Sequence, residues 1–225
     1  RWVTQVISKD VANGKTSRKN DFRAVPLVST GIIEEADYFL KYEDEKKNIT
    51  YDGFGYDRGH LAPSADFRWS PKALSESYYY SNMSPQLSEF NRDAWADLEG
   101  SIRQYAIQFD GNLFVLNGPI LNKNLKRIER SANNIAIPNY FYKVILDTTN
   151  LKAIGFLMPN EACSKPLESY ALSIDEIEAL TSLDFFPNFN PIEIEKLESS
   201  IDTTAWLGGS EGNFAAFSQK ILHKN

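Results

Sequence analysis

The sequence predicts one α+β domain. Three observations carry that prediction. Trp95, Leu98, Ile102 and Tyr105 recur at spacings of three and four, which draws one apolar stripe along a helix. Three runs rich in aromatic and β-branched residues, 112–116, 134–147 and 153–158, follow it and read as strands. Ser173-Ile174-Asp175-Glu176 is a capping box that opens a further helix. No internal repeat and no linker long enough to split the 225 residues is present, so one domain over residues 1–225 is the simplest organisation.

Residues 1–20 are polar, with Asn13-Gly14-Lys15 as a turn signal. Asp21 to Ser29 alternates loosely and reads as a strand. Glu34 to Thr50 is charged and reads as a solvent-facing loop or short helix. Tyr51-Asp52-Gly53-Phe54-Gly55-Tyr56 is a glycine-punctuated loop. Pro71 to Tyr80 suits a short helix, with Ser70 as N-cap and Pro71 at its first position. The striped helix should start near Asn91. Asn117-Gly118-Pro119 ends the first strand run, Pro138 interrupts the second and Pro159 closes the third. The capped helix carries Ile177, Leu180 and Leu183 and ends at Phe185-Phe186-Pro187. A second acidic helix runs from Pro191 to Glu198. Gly208-Gly209 and the basic Lys220 to Lys224 stretch carry no further signal.

Hydrophobic residues make up 42% of the chain and aromatic residues 13%, enough for a packed core. The single cysteine, Cys163, excludes an intramolecular disulfide and a cysteine-based zinc site, and reads as a buried thiol. No apolar run approaches the roughly 18 residues of a membrane span. The chain starts at Arg1 without a methionine, so an upstream segment is expected, and with it an exported protein: periplasmic, secreted or lipid-anchored. The net charge of −6 argues against a protein that coats nucleic acid electrostatically. It is compatible with a turnover enzyme that carries a local positive cleft.

Only two histidines are present, His60 and His223. His223 sits at a terminus, where chains fray. His60 lies in the polar cluster Asp57-Arg58-Gly59-His60. The glycine allows close backbone approach, and the Asp–Arg neighbours can pair and hold the loop. Asn82 follows the aromatic run Tyr78-Tyr79-Tyr80. Asn91, Arg92 and Asp93 open the striped helix, and Glu99 and Arg103 lie eight and twelve residues after Asn91. At about 3.6 residues per turn, Asn91, Glu99 and Arg103 fall within a sector of roughly 120°. They can present an amide oxygen, a carboxylate and a guanidinium together. The plainer alternative makes Asn91 an N-cap and Glu99–Arg103 a surface pair.

The segments Asp57-Arg58-Gly59-His60-Leu61-Ala62-Pro63, Phe67-Arg68-Trp69-Ser70 and Tyr80-Ser81-Asn82-Met83-Ser84-Pro85-Gln86, then Asn91, Ala94-Trp95, Leu98-Glu99 and Arg103, occur in this order and spacing. Together they resemble the DNA/RNA non-specific endonuclease family, the ββα-metal or His-Me finger nucleases of the endonuclease G and Serratia nuclease type. Weaker likeness extends from Asp21 to Asn188. The resemblance implies a central antiparallel sheet flanked by helices. It implies His60 as general base, Asn91 as direct ligand of a magnesium ion and Glu99 as the acid that holds metal-bound waters. Asn82 matches a residue that supports the site. Arg58 and Arg103, and more loosely Arg23, match arginines near the scissile phosphate or the structure around it. Asp66 departs from the asparagine common in endonuclease G-like members.

Those residue types suit phosphodiester cleavage. A neutral histidine takes a proton from water near neutral pH, its ordinary pKa being about 6.5. Mg2+ prefers oxygen ligands and keeps most of its waters, and Mn2+ or another divalent ion can substitute. The expected products carry 5′-phosphate and 3′-hydroxyl ends. DNA and RNA are the substrates that the resemblance implies: contacts to phosphates carry no direct sequence information, which accounts for cleavage without sequence preference, and in-line attack by water needs no 2′-hydroxyl. The resemblance also admits a homodimer and a protein inhibitor as partners. The alternatives on the same fold are a non-catalytic nucleic-acid-binding protein and an inhibitor-controlled toxin nuclease domain.

Overall fold

One antiparallel sheet organises the computed structural model, which describes residues 2–26, 28 and 33–207. In chain order the strands and α-helices are β1 (Val3–Ile7), β2 (Phe39–Glu43), β3 (Ile49–Gly53), β4 (Asp57–His60), α1 (Pro71–Glu76), β5 (Met83–Gln86), α2 (Trp95–Phe109), β6 (Leu113–Pro119), β7 (Tyr140–Asp147), β8 (Lys152–Pro159), β9 (Ala171–Leu172), α3 (Ile174–Thr181), α4 (Pro191–Glu198) and α5 (Thr203–Leu207). The main sheet runs β1-β6-β7-β8-β9. β2–β3 and β4–β5 are separate antiparallel pairs.

The period-two rule of a strand sorts the core into two halves. Val115, Phe141, Ile145, Ile154, Phe156 and Met158 face α2 and meet Trp95, Leu98 and Ile102. Their neighbours Leu116, Tyr142, Val144, Leu146 and Ala153 face the opposite way and meet Ile174, Ile177 and Ile194 of α3 and α4. The architecture is therefore α+β, a sheet covered by helices on both faces. The α2 face also carries Gln5, Asn117 and Lys143, all buried. These three polar positions receive the charged residues described below.

Several expectations hold. Ser70 caps α1 from Ala73 N–H with Pro71 in the first turn, Ser173 and Glu176 form the capping box of α3, and α4 spans Pro191–Glu198. Others are corrected. α1 stops at Glu76 because the following backbone turns to pair with the Arg23 segment: Arg23 N–H donates to Tyr78 O and Tyr80 N–H to Arg23 O. Among the described residues of 21–29 that contact is a single bridge, Arg23 with Tyr79, and not a strand; Leu27, Ser29 and the 29–32 stretch lie outside the described residues. The polar N-terminal stretch contains β1, whose inward Gln5 breaks the apolar alternation by which a strand is recognised. The charged 34–50 segment holds β2 and the start of β3, which runs on to Gly53 through the first half of the expected 51–56 loop; the hairpin is turned by Asp44, whose Oδ1 accepts from Lys46 and Asn48 N–H at 2.8 Å each. Cys163 is half-buried, with its thiol against the Glu161 carbonyl at 3.4 Å. His223 and the basic 220–224 stretch lie outside the described residues.

Candidate active site

β4 and β5 pair as Asp57↔Gln86, Arg58↔Pro85, Gly59↔Ser84 and His60↔Met83. Gly59 is required by close approach: a Cβ there would stand 2.0 Å from Gln86 Oε1 and 2.5 Å from its Cγ. Gln86 is fully buried and has nowhere to move. The glycine thus lets β4 lie flat on the Gln86 side chain and fixes where the next residue, His60, emerges.

His60 leaves the strand half-buried. Its ring meets the edge of Tyr78 at 5.0 Å and 90°, and Phe22 at 5.9 Å. Nε2 is buried without a hydrogen-bond partner among the described residues. Burial, then the charges of Arg18 and Arg58, push its pKa down to about 3, so the ring is neutral at physiological pH. Immediately after it, Asn82 staples the chain: its Oδ1 accepts from Ala62 N–H at 2.9 Å, and its Nδ2 donates to Ala62 O and Ser77 O at 2.8 Å each. Asn82 is itself buried. The polar residue expected to support the site therefore holds the loop that leaves His60.

Asn91 is not an N-cap. It lies in a π turn, Phe90–Ala94, closed by Trp95 N–H donating to Phe90 O and continuous with α2. A π turn carries one residue more than an α turn. That residue moves Asn91 by about 100° relative to α2, so Asn91, Glu99 and Arg103 fall within about 40° and not the roughly 120° of a plain helix. The Asn91 amide nitrogen donates to Asp57 Oδ2 at 2.9 Å, which turns Oδ1 away from that carboxylate. Arg92 grips the same carboxylate through Nε and Nη2 at 2.8 and 2.7 Å, and Ser88 Oγ adds a third donor at 3.2 Å. Burial alone would raise the Asp57 carboxyl, but the Arg92 and Asn91 hydrogen bonds outweigh it and hold it below its usual value. Asp57 thus couples the strand that ends in His60 to the turn that carries Asn91.

Deeper under α2, Arg103 does not pair with Glu99. Its Nη1 binds Asp66 Oδ1 at 2.8 Å, and Gln5 Nε2 holds the other Asp66 oxygen at 2.9 Å. Burial raises the Asp66 carboxyl against the opposing pull of Arg103 and Lys143. Lys143 reaches Asn117 Oδ1 and lies 4.4 Å from the Trp95 ring centroid. Glu99 stands beside this cluster. Burial raises its carboxyl, opposed by Lys143 and Arg103, and burial likewise lowers Lys143. The departure at Asp66 is therefore the counter-charge of Arg103 between helix and sheet.

Of the other arginines, Arg58 stacks 3.7 Å over Phe22 beside His60. Arg23 is tied down: Nη1 donates to Asp21 Oδ2 at 2.9 Å and Ser75 O at 2.8 Å, over the Tyr79 ring. Sequence reasoning missed Arg18, whose charge reaches His60 from a polar stretch with no motif around it. It also missed Phe22 and Tyr78 as the walls of the histidine. A groove of about 480 Å³ lies behind Asn82, between Ala62, Ser77, Trp69 and Gln5; neither His60 nor Asn91 lines it.

The chain is similar to known nucleases. A model of the DNA/RNA non-specific endonuclease family matches residues 1–191. Mitochondrial endonuclease G of Homo sapiens is 31% identical over 205 residues, covering 83% of this chain and 63% of that protein. The chain thus spans less than two thirds of that relative. Nuclease C1 of Cunninghamella echinulata var. echinulata is 36% identical over 178 residues, covering 73% of this chain and 69% of that protein. A chain in the solved EndoG/EndoGI complex, described as showing the mechanism of EndoG inhibition, superposes with a TM-score of 0.68 at 27% identity, covering 84% of this chain and 79% of that one.

Proposed function

Because the chain belongs to the DNA/RNA non-specific endonuclease family, we propose that it hydrolyses phosphodiester bonds of DNA and RNA without sequence preference, using Mg2+ or a like divalent ion. The observation that carries this reading is the Asp57 bridge, which ties the strand ending in His60 to the turn bearing Asn91.

The donor set fits a hard cation. Asn91 Nδ2 is committed to Asp57, so Oδ1 is the atom left to bind metal, and Glu99 supplies a carboxyl nearby on the same helix flank. When bound, the ion supplies charge neutralisation at phosphorus and a water acidic enough to protonate the leaving oxygen. Glu99, whose carboxyl burial raises, holds such waters in its ionised form, which a nearby cation favours.

His60 takes the proton of the attacking water through Nδ1, since Nε2 is buried. Burial, and after it the charges of Arg18 and Arg58, keeps the ring weakly basic. A bound phosphate would offset the guanidinium share of that depression, though not the share due to burial, and so move the ring towards greater basicity. Arg58, held flat on Phe22, binds the phosphate. Arg23 and Arg103 act through the framework, because their guanidinium groups are already engaged by Asp21 and Asp66. Cleavage leaves 5′-phosphate and 3′-hydroxyl ends. By analogy with the EndoG/EndoGI complex, a protein inhibitor is a partner to seek.

The test is magnesium-dependent nicking of plasmid and degradation of RNA, abolished by EDTA and restored by Mg2+ or Mn2+. Intact substrate with every divalent ion tried would favour a binding-only protein on this fold.

A further inference from the structure

A second cluster of acids lies on the other side of the main sheet from His60 and Asn91. Asp175 and Glu178 stand in the first turns of α3, and Glu198 is the last residue of α4. Both helices pack on the Tyr142, Val144 and Leu146 face of the sheet, whereas α2 covers the opposite face. Carboxylate oxygens of these three residues lie within 4.8 Å of one another. Glu178 is positioned for such a role, its Oε1 fixed by Phe185 N–H at 2.7 Å.

Glu198 distinguishes this cluster from an ordinary solvated acidic face. It is only 7% exposed, and no described residue gives it a hydrogen bond or an ion pair. Its position is poor for an anion, because the C-terminal end of a helix carries partial negative charge. The charged groups that act on it most are acids: Glu178, Asp175, Asp184 and Glu195. Burial and those neighbours push its carboxyl up to about 7. A carboxylate on so enclosed a residue, set among like charges, is stabilised there by a proton or a cation.

We propose that Asp175, Glu178 and Glu198 form a structural calcium site that clamps α3 to α4, separate from the catalytic metal. Three carboxylates are hard oxygen ligands, the class that Ca2+ takes in flexible geometry at about 2.3–2.6 Å. Opposite ligands of such an ion stand about 4.6–5.2 Å apart, a span that the cluster does not exceed. The partly exposed Asp175 and Glu178 leave room for waters to complete the shell.

The site is read without nucleic acid, so its outcome is independent of the nuclease assignment. EDTA-stripped full chain is titrated with Ca2+ by calorimetry and melted with and without Ca2+, in wild type and in Asn91→Ala. We expect Ca2+ bound at this cluster in both, as the single ion taken up by Asn91→Ala, and a Tm rise of roughly 5–10 °C at about a hundredfold excess over Kd. Glu198→Gln should lose both effects while keeping Mg2+-dependent cleavage. Should Glu198→Gln fail to fold, Glu178→Gln and Asp175→Asn are read the same way. No uptake at about 5 mM Ca2+, well above the weakest protein calcium sites, overturns the site. So does uptake by Asn91→Ala that survives the further change Glu198→Gln, or the absence of uptake in Asn91→Ala. Tighter binding of Mg2+ than of Ca2+ at this cluster overturns the assignment to calcium.

Discussion

Asp57 Oδ2 accepts the Asn91 side-chain amide at 2.9 Å across 34 residues of chain, and Arg92 holds the same carboxylate from the other side. The asparagine is thereby oriented by a carboxylate already committed to Ser88, Asn91 and Arg92. Asp57→Ala should lower cleavage about 10–100-fold, the usual cost of removing a partner of a metal ligand. Rates measured against Mg2+ concentration should show the loss chiefly as weaker metal dependence. An unchanged Mg2+ profile would mean that Asn91 orients itself.

His60 predicts a pH dependence of stability. The unfolded ring has a pKa of about 6.5, and the folded ring is held to about 3 by burial and then Arg18 and Arg58. Below about pH 6.5 the unfolded chain binds a proton that the folded chain refuses, so stability falls from there towards pH 3 and is unaffected above. His60→Leu removes this term. Between pH 7 and pH 5 the variant should lose roughly 1–2 kcal/mol less stability than wild type. Paired melts at the two pH values decide it, and equal losses would show a protonated ring in the fold. The same variant should cleave at least about a hundredfold more slowly, a general base being worth that much.

Asp66 and Arg103 form a pair that helix and sheet enclose, the aspartate 3% exposed. Asp66→Ala leaves a guanidinium without its partner and should cost about 3 kcal/mol, the lower end for a broken buried pair because Arg103 is partly exposed. Tm should fall roughly 6–12 °C. A double-mutant cycle with Arg103→Ala should return a large coupling energy. Activity below the melting range should survive; its collapse with the fold intact would place Arg103 on the substrate.

Arg58 should act on phosphate. Arg58→Ala should weaken binding of DNA and RNA alike and reduce the slope of log affinity against log salt by about one. Binding measured in EDTA, where cleavage is blocked, reads the slope directly. An unchanged slope would leave Arg58 as packing for Phe22 and Phe39.

What was legible in the sequence was whatever is written locally. The caps Ser70 and Ser173 and the stripe of α2 are short-range signals, and each predicted its element, whereas the segment around His60 reads as a loop and is strand β4. The segments that departed from expectation depend on distant partners. β1 is a strand because β6 pairs with it, although Gln5 points into the core to meet Asp66. The 71–80 helix ends early because Arg23 recruits the backbone of Tyr78 and Tyr80. At the site, residue types were legible and contacts were not. Asp57 with Asn91 and Asp66 with Arg103 join residues 34 and 37 positions apart. No local pattern marks the π turn, so helical arithmetic from Asn91 misjudged its angle.

That turn has a consequence for aligning this chain with its kin. One residue added inside a helix does not shift what precedes it out of phase when the surplus is absorbed as a π turn. A relative with one residue fewer between its asparagine and tryptophan would place the asparagine at nearly the same azimuth on a plain α-helix. A gap at this point therefore does not signal a lost ligand. Deleting Asp93 should straighten the turn and keep Asn91 within about 20° of Glu99. Metal affinity preserved in that deletion would make the extra residue neutral ancestry, and affinity lost would make it part of the site.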